Sequence, residues 1–226
     1  MKRRYNRTFK TTREDYIATI YRLHEVYGSA KLSDISRELG VKPATTSKVL
    51  SQLEKSGLVK KYKYREIVLT EEGERVAEKI IRKHRISEVF LAYKLSVDIF
   101  DTHYYAHYLE HLPDELIERI YILLGFPQKC PHGNIIPGTE RGKDIVLAEY
   151  IRLSEATRGT YRIERIAGEL SSILPILKEL QLKPNTIVEV VAQTPEYTVI
   201  RQNSMLRNVA KHVAFTVLLI KSKDLL

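Results

Sequence analysis

Residues 101–116, DTHYYAHYLEHLPDEL, concentrate nitrogen and oxygen donors that could bind a metal ion. Three of the chain's seven histidines, His103, His107 and His111, lie here together with Glu110. On an α-helix these positions are i, i+4, i+8 and i+7, and they fall within roughly 100° of arc, so the side chains share one face. A lone histidine on a polar helix face is usually just a satisfied side chain. Three histidines in phase with a carboxylate favour a metal site.

A second donor pair lies upstream in RKHRISEVF, residues 82–90, where His84 and Glu88 are one helical turn apart. Imidazole and carboxylate without thiolate suit Fe(II), Mn(II), Co(II), Ni(II) or Zn(II). Because neutral histidine is the ligand form, we expect occupancy to fall as the pH drops below ~6.5. Cys130 is the only cysteine, which excludes an intrachain disulfide and, in this reading, a cysteine-based zinc site.

The composition, with 226 residues, 43% apolar and 29% charged, is that of an ordinary soluble globular protein with two or three domains. No apolar run approaches the ~20 residues that span a bilayer. The N-terminal MKRRYNRTFK is basic but lacks the apolar stretch of a signal peptide. We therefore expect a cytoplasmic location and no membrane partner.

The net charge of +9 is concentrated in the N-terminal third of the sequence. Residues 1–75 contain 17 Lys and Arg against 10 Asp and Glu, a surplus of 7, whereas residues 76–226 contain 20 against 18, a surplus of 2. This asymmetry predicts a polyanion-binding surface at the N-terminal end, the alternative being a basic face that is only solvated.

The same third has the pattern of a winged helix-turn-helix. Residues 12–27 are amphipathic, LSDISRELG (32–40) predicts a helix capped by Ser33 and ended by Gly40, and VKPATTSKVLSQLEKSG predicts a third helix with Pro43 in its first turn. GLVKKYKYREIVLTEEG then contains two short β-like runs around a basic bend. Helix, tight turn, helix and basic hairpin is the order of that motif.

The third helix carries side chains suited to DNA, because short hydroxyls allow close approach and lysines neutralise phosphates. The alternative is a small helical subdomain whose polar face is only solvated. Agreement between helix order, charge surplus and the basic hairpin favours DNA. The predicted DNA-binding residues are Lys42, Pro43, Ala44, Thr45, Thr46, Ser47 and Lys48 on the helix, and Lys60, Lys61, Lys63 and Arg65 on the hairpin.

The C-terminal third changes character after a cluster of turn residues between Gly133 and Gly142. TIVEVV, EYTVIRQ and AFTVLLIK predict strands, and LSSILPILKEL (170–180) predicts one short helix. The predicted fold is mainly α with β, in three domains with bounds 1–75, 76–142 and 143–226. The last domain serves either packing alone or the supply of a ligand to the helical domain.

Nearly the whole chain resembles the diphtheria toxin repressor and manganese transport regulator family of metal-dependent transcription factors. The matching motifs are TTREDYIATIY (11–21), RKHRISE, HYYAHYLEHLPDE and the exit PHGNIIPG (131–138). The resemblance implies a winged helix-turn-helix, a helical metal-binding and dimerisation domain, and a small SH3-like, iron-transport-A-like β-barrel at the C-terminus.

The resemblance also implies two metal sites per subunit. One would use Asp15, His107, Glu110 and His111, and the other His84, Glu88 and His103, with Glu169 as a candidate donor from the C-terminal domain. Where the manganese branch has a glutamate three residues after its aspartate, this sequence has Ala18. A donor set without thioether or thiolate favours Mn(II) or Fe(II), although Zn(II), Co(II) or Ni(II) can substitute in vitro.

The resemblance implies a homodimeric transcriptional regulator, and specifically a repressor. It would bind palindromic operator DNA when Mn(II) or Fe(II) is bound, and so control metal homeostasis genes. No small-molecule substrate is expected. Three alternatives stay open: histidine-based pH sensing, a purely structural metal, and a metallohydrolase with Glu88 or Glu110 as general base. The sequence has no HExxH motif, nucleophile elbow or phosphate-binding glycine loop, so we predict that the protein is not an enzyme.

Overall fold

The computed structural model describes residues 11–62, 66–139 and 150–221, and it divides into two compact units between Glu78 and Lys79. Lys63 and Arg65, and the predicted boundary between residues 142 and 143, lie outside the described residues. The helices are α1 (Arg13–Tyr27), α2 (Leu32–Leu39), α3 (Pro43–Lys55), α4 (Glu71–Lys94), α5 (Ile99–Leu109), α6 (Asp114–Leu123), α7 (Leu174–Leu180) and α8 (Lys211–Ala214). The strands are β1 (Ala30–Lys31), β2 (Val59–Lys61), β3 (Glu66–Leu69), β4 (Ile151–Arg152), β5 (Gly159–Ile166), β6 (Ile187–Gln193), β7 (Tyr197–Gln202), β8 (Met205–Ala210) and β9 (Val217–Lys221).

Helix α1 begins, and helix α2 ends, at a residue whose chemistry favours it. Helix α1 starts with a capping box, in which the Thr12 hydroxyl accepts from the backbone N–H of Asp15 and the Asp15 carboxylate accepts from that of Thr12. Helix α2 begins two residues earlier than expected, with Lys31 rather than Ser33 as its N-cap, so the predicted cap is wrong. Gly40 ends this helix at φ 64, as predicted, because glycine tolerates the left-handed conformation.

Helices α1, α2 and α3 enclose the core of this unit. Their largest fully buried side chains include Ile17, Ile20 and Leu23 of α1, Ile35 of α2, and Leu50 and Leu53 of α3. Each such burial stabilises the fold by roughly 1.5–3 kcal/mol. The short antiparallel sheet, of order β1-β3-β2, forms the wing beside them.

Gly73, in the first turn of α4, permits a close approach of the backbone within the N-terminal unit. A Cβ at this position would lie 2.0 Å from the carbonyl oxygen of Leu58 and 3.3 Å from Cβ of Leu69. Only glycine therefore lets α4 start directly against the end of the wing.

The second unit combines α4 from Lys79 onward, α5 and α6 with the C-terminal sheet. Buried side chains from α4, α6 and the segment that follows α6 form one apolar cluster: Ile86, Val89, Ile117, Tyr121, Cys130 and Ile136. Arg82 lies over the Tyr121 ring at 4.4 Å and also donates to both carboxylate oxygens of Glu118, which fixes α6 against α4.

The C-terminal part of this unit is an antiparallel sheet of order β4-β9-β5-β6-β7-β8. Irregularities between Ile163 and Arg165 and between Val190 and Ala192 bend it. The three predicted strands correspond to β6, β7 and β9, whereas the predicted helix begins at Leu174 rather than residue 170. The predicted fold class is confirmed: a helical N-terminal domain with a wing, a second helical region, and a C-terminal antiparallel sheet domain.

The segment 131–138, which follows the helical part of the second unit, is hydrogen-bonded to the end of β5. The carbonyl oxygen of His132 accepts from the N–H of Ile166 at 2.8 Å, and Asn134 Nδ2 donates to the Ile166 carbonyl at 2.7 Å. Gly133, at φ 84, makes this possible, because a Cβ there would lie 2.4 Å from the carbonyl oxygen of Glu164.

Among the described residues, no helix has the length and apolar character needed to cross a membrane.

Candidate metal centre and nucleic-acid surface

Two helices of the second unit bring the predicted metal ligands together. His84 and Glu88 face inward from α4, and His103 and His107 from α5. Glu110 is the C-cap of α5 and is itself buried. The exception is His111, whose side chain is 42% exposed and whose Nε2 is 3.8 Å from the Glu110 carboxylate.

Three donor atoms converge at the centre of this group. His84 Nε2 is 2.9 Å from His103 Nδ1, and Glu88 Oε1 is 3.3 Å from the former and 3.5 Å from the latter. Atoms bound at about 2.1 Å from one ion, at octahedral or tetrahedral angles, are separated by roughly 3.0–3.4 Å. The three atoms therefore have the spacing of ligands around a single ion.

The carboxylate of this group, Glu88, indicates that the three donor atoms can hold a cation. Glu88 is fully buried, and its Oε1 accepts no well-formed hydrogen bond among the described residues. A buried carboxylate oxygen without a donor is costly, and a cation at the centre of the three atoms would satisfy it. Two imidazoles and one carboxylate form a donor set typical of Fe(II) and related divalent ions.

Glu110 orients the imidazole of His84. Its Oε2 lies 2.5 Å from His84 Nδ1, and its Oε1 lies 3.0 Å from His107 Nδ1. Because an ionised carboxylate only accepts, His84 donates its Nδ1–H, and this leaves the Nε2 lone pair directed at the centre. The ring of His107 completes the group, with its centroid 4.9 and 4.8 Å from those of His84 and His103.

The two ligand sets implied by the sequence adjoin one another within this unit, since His84 of one set lies 2.5 Å from Glu110 of the other. Asp15 belongs to the N-terminal unit, where its carboxylate caps α1 and accepts from the Thr12 N–H at 2.6 Å. The assignment of Asp15 as a metal ligand stays a prediction.

A second donor group, missed from the sequence, adjoins the first. Glu88 Oε2 is 3.3 Å from His132 Nδ1, and Cys130 Sγ is 3.8 Å from the same nitrogen. With Glu169, these residues offer four buried ligand atoms that all lie within 4.8 Å of one another. One cysteine excludes a site made of cysteines alone but not a mixed donor set. The Cys-Pro-His spacing is the signal that sequence reasoning passed over.

Glu169 lies in this second group rather than beside His103. Its carboxylate accepts from Arg85 Nε at 2.9 Å and Nη2 at 3.2 Å, from Asn134 Nδ2 at 2.6 Å and from the Cys130 thiol at 3.3 Å. Its backbone has φ 40, an uncommon value for a residue other than glycine, and so the carboxylate is held in place at some backbone cost.

The charges of this group shift its titration. Burial raises the pKa of the Cys130 thiol well above its usual value, and the nearby Glu88 and Glu169 carboxylates raise it further. Burial alone lowers the pKa of His132, but the charge of Glu88 and its hydrogen bond outweigh burial, so the pKa is raised. At neutral pH Cys130 is therefore a thiol, and a metal that binds sulfur must displace its proton.

Of the predicted DNA-contacting residues that the structure describes, all but one are exposed. Lys42, Pro43, Ala44, Thr45, Ser47, Lys48, Lys60 and Lys61 are all exposed. Lys61 is held in place by Ser51 Oγ at 2.9 Å and Glu54 at 3.1 Å.

The structure contradicts the predicted DNA contact of Thr46, because this residue is fully buried and its Oγ1 accepts from Ser36 Oγ at 3.0 Å. It therefore cannot contact DNA. Burial raises the pKa of the neighbouring Tyr16 phenol, and the hydrogen bond between Tyr16 and Thr46 partly offsets this. Tyr16, Ser36 and Thr46 come from α1, α2 and α3, so the three buried hydroxyls connect the helices of the unit.

Two family models match the chain. The model described as "Iron dependent repressor, N-terminal DNA binding domain" matches residues 8–67, and "Iron dependent repressor, metal binding and dimerisation domain" matches residues 70–138. The sequence is 30% identical over 194 residues to the iron-dependent repressor IdeR of Mycobacterium bovis, covering 79% of this chain and 83% of that protein. It is 34% identical over 119 residues to the HTH-type transcriptional regulator MntR of Listeria welshimeri, covering 52% of this chain and 83% of that protein.

Solved structures show the same architecture. The manganese regulator SloR superposes with a TM-score of 0.81 at 26% identity, over 95% of this chain and 100% of that one. IdeR of T. acidophilum superposes with a TM-score of 0.79, also at 26% identity and over the same shares of both chains. The likeness thus extends beyond the two segments matched by the family models and includes the C-terminal sheet.

Proposed function

The chain belongs to the iron-dependent repressor family and is a metal-dependent transcriptional regulator, and we propose that the triad of His84, Glu88 and His103 is the centre that senses the metal. The observation that carries this proposal is the convergence of the three buried donor atoms, with Glu88 Oε1 lacking a well-formed hydrogen bond among the described residues. An ion held by these atoms would supply positive charge between two carboxylate-bearing helices and would join α4 to α5.

We propose Mn(II) or Fe(II) as the physiological ion of the triad. Nitrogen and oxygen donors without sulfur support these harder ions, and relatives of this chain are named for iron and manganese. Zn(II), Co(II) and Ni(II) bind such sites at least as tightly in a test tube, so availability in the cell decides which ion is sensed.

We propose that each subunit binds two ions. The group of Glu88, Cys130, His132 and Glu169 is the candidate for the second, since its four ligand atoms already lie together. Its thiol makes it the softer of the two and the better match for Zn(II). The alternative second site, with Asp15, His107, Glu110 and His111, remains the prediction from family resemblance.

We propose a homodimer on palindromic operator DNA. Exposed apolar side chains on α6 and in the turn after it support a subunit interface, with Leu116, Ile122, Leu123 and Phe126 between 43 and 62% exposed. A two-fold dimer would place two α3 helices in successive major grooves, about 34 Å apart or at multiples of that distance. The exposed hydroxyls and lysines of α3 would contact bases and phosphates.

Metal and DNA binding must be coupled for this function. The ion has to bind the DNA-competent arrangement more tightly than the other, and each tenfold preference corresponds to ~1.4 kcal/mol of coupling. By reciprocity, operator DNA must tighten metal binding by the same factor.

The test is operator-binding anisotropy on chelator-stripped protein, titrated separately with Mn(II), Fe(II) under anaerobic conditions and Zn(II) at fixed pH and salt. Salt is fixed because phosphate contacts alone change affinity by orders of magnitude. We expect affinity to rise at least tenfold with the cognate ion, and His103→Ala to abolish that rise. His212→Ala, at an exposed histidine of α8, is the matched control. Equal operator affinity with and without metal in the wild type would contradict the sensing role.

A further inference from the structure

The two lysines of β2, Lys60 and Lys61, lie on opposite faces of the wing. Side chains alternate between faces along a strand, so Lys61 shares its face with the buried Val59 and is paired with the buried Ile67 of β3. Lys60 lies on the other face and is paired with Val68. The sequence predicts the same DNA-contacting role for both lysines, whereas the strand gives them different surroundings.

Lys61 is bonded to helix α3. Its Nζ donates to Ser51 Oγ at 2.9 Å and lies 3.1 Å from the Glu54 carboxylate. The Ser51 hydroxyl in turn donates to the carbonyl oxygen of Ser47 at 3.0 Å. Ser47, Ser51 and Glu54 are at i, i+4 and i+7, so they share one face of α3, and Lys61 ties the wing to that face.

The pair of Lys61 and Glu54 adds little to the attraction of DNA, because an ammonium beside a carboxylate is nearly neutral when seen from a phosphate farther away. Its contribution is therefore to geometry. The strands of the wing have only two, three and four residues. A sheet this small depends on packing against a helix for its stability and orientation.

We propose that Lys61 is a positioning residue that holds the wing at a fixed orientation to α3 through Ser51 and Glu54, and that it is not a phosphate contact. The inference deepens the proposed function and rests on it, because it takes α3 as the helix that enters the major groove. It assigns different roles to adjacent lysines: Lys60 supplies charge to the operator, and Lys61 fixes the strand that carries this charge.

The test measures operator affinity of the metal-loaded full chain by anisotropy over a range of salt concentrations. Each phosphate contact contributes about 0.9 to the slope of log affinity against log salt concentration. Lys60→Met should lower the slope by about that amount. Lys61→Met should leave the slope unchanged and weaken operator binding about two- to fivefold, the effect of losing an exposed ion pair. Lys61→Arg keeps a charged donor and should restore wild-type affinity.

Glu54→Ala tests the same inference by the sign of its effect. If Lys61 positions the wing, loss of its partner weakens operator binding, and Glu54→Ala combined with Lys61→Met costs little more than either substitution alone. If Lys61 contacts a phosphate, removal of the carboxylate strengthens binding. Glu71→Ala, at an exposed carboxylate in the first turn of α4, controls for the loss of one negative charge.

The inference is overturned if Lys60→Met and Lys61→Met change the salt slope to the same extent, or if Glu54→Ala binds the operator more tightly than Glu71→Ala does. Urea denaturation shows whether each variant is folded, and Glu54→Ala keeps the comparison available if Lys61→Met is not. Absence of metal-dependent operator binding by the wild type overturns the proposed function instead, and that result is separate from any difference between variants.

Discussion

Glu110 accepts a hydrogen bond from His84 at 2.5 Å, although the two residues are 26 positions apart and on different helical elements. The contact fixes which nitrogen of His84 faces the triad. Glu110→Gln removes the charge that holds the Nδ1–H, and we expect a loss of metal affinity of about 10–100-fold. Isothermal titration with Mn(II) measures both affinity and stoichiometry.

The stoichiometry separates two roles of Glu110. An orienting residue leaves the number of ions at saturation unchanged, whereas a direct ligand takes one ion with it. Glu115→Gln, at an exposed carboxylate in the first turn of α6, is the matched control and should bind as the wild type does.

Metal binding at the Cys130 group should strengthen as the pH rises. The raised pKa of Cys130 keeps its thiol protonated at neutral pH, and the raised pKa of His132 extends the range in which its ring holds a second proton, so a metal must displace protons from this group. Affinity therefore rises with pH by up to tenfold per unit for each proton released. Competition titrations with Co(II) between pH 6.5 and 8.5 measure the slope.

Cys130→Ser removes one of these protons and should reduce that slope by one. It should also abolish the thiolate-to-cobalt charge-transfer band. An unchanged slope with the band retained in the variant would show that sulfur is not a ligand and that another group supplies the proton.

Thr46→Val should destabilise the N-terminal unit without directly affecting DNA contacts. The substitution preserves shape but leaves the Ser36 hydroxyl without its buried acceptor, at a cost of about 1–3 kcal/mol in the free energy of unfolding. Urea denaturation measures it. Thr45→Val, at the exposed position next to it, should stay within about 0.5 kcal/mol of the wild type and weaken operator binding instead. The reverse pattern would contradict the inward orientation of Thr46.

Gly133→Ala should destabilise the second unit more than Gly138→Ala does. Both glycines have φ near +80, at 84 and 76, so both substitutions incur the left-handed strain. Only at Gly133 does the new Cβ meet a backbone carbonyl, at 2.4 Å, whereas at Gly138 the nearest atom within 4 Å is the end of the Arg82 side chain at 3.8 Å. We expect the difference in unfolding free energy to be about 1–3 kcal/mol. Equal losses would mean that β5 moves freely away from the segment.

The helical periodicity of the sequence was sufficient to find the donors on α4 and α5, because residues one turn apart share a face whatever surrounds the helix. The same rule predicts that Thr46 faces inward, because it is in phase with the buried Leu50 and Leu53 at i, i+4 and i+7. A hydroxyl in that register is placed inside, and its preference for a polar partner is met there by Ser36.

The contacts that sequence reasoning could not supply are those between distant segments. Glu169 and Arg85 are 84 positions apart, and no local pattern relates them. The positive φ of Glu169, at 40, likewise has no signal in the local sequence. The prediction of Glu169 as a donor found the right residue type but could not find its neighbours.

The buried ion pair of Arg85 and Glu169 also bears on modularity. The guanidinium is 1% exposed and also donates to the carbonyl oxygen of Ile135, so it is one of the largest side chains enclosed in the second unit. A shortened chain without the C-terminal sheet domain would lose Glu169, the counter-charge of that buried cation, and removing one partner of a buried ion pair costs several kcal/mol. A truncation that removes the C-terminal sheet domain therefore also requires the replacement of Arg85.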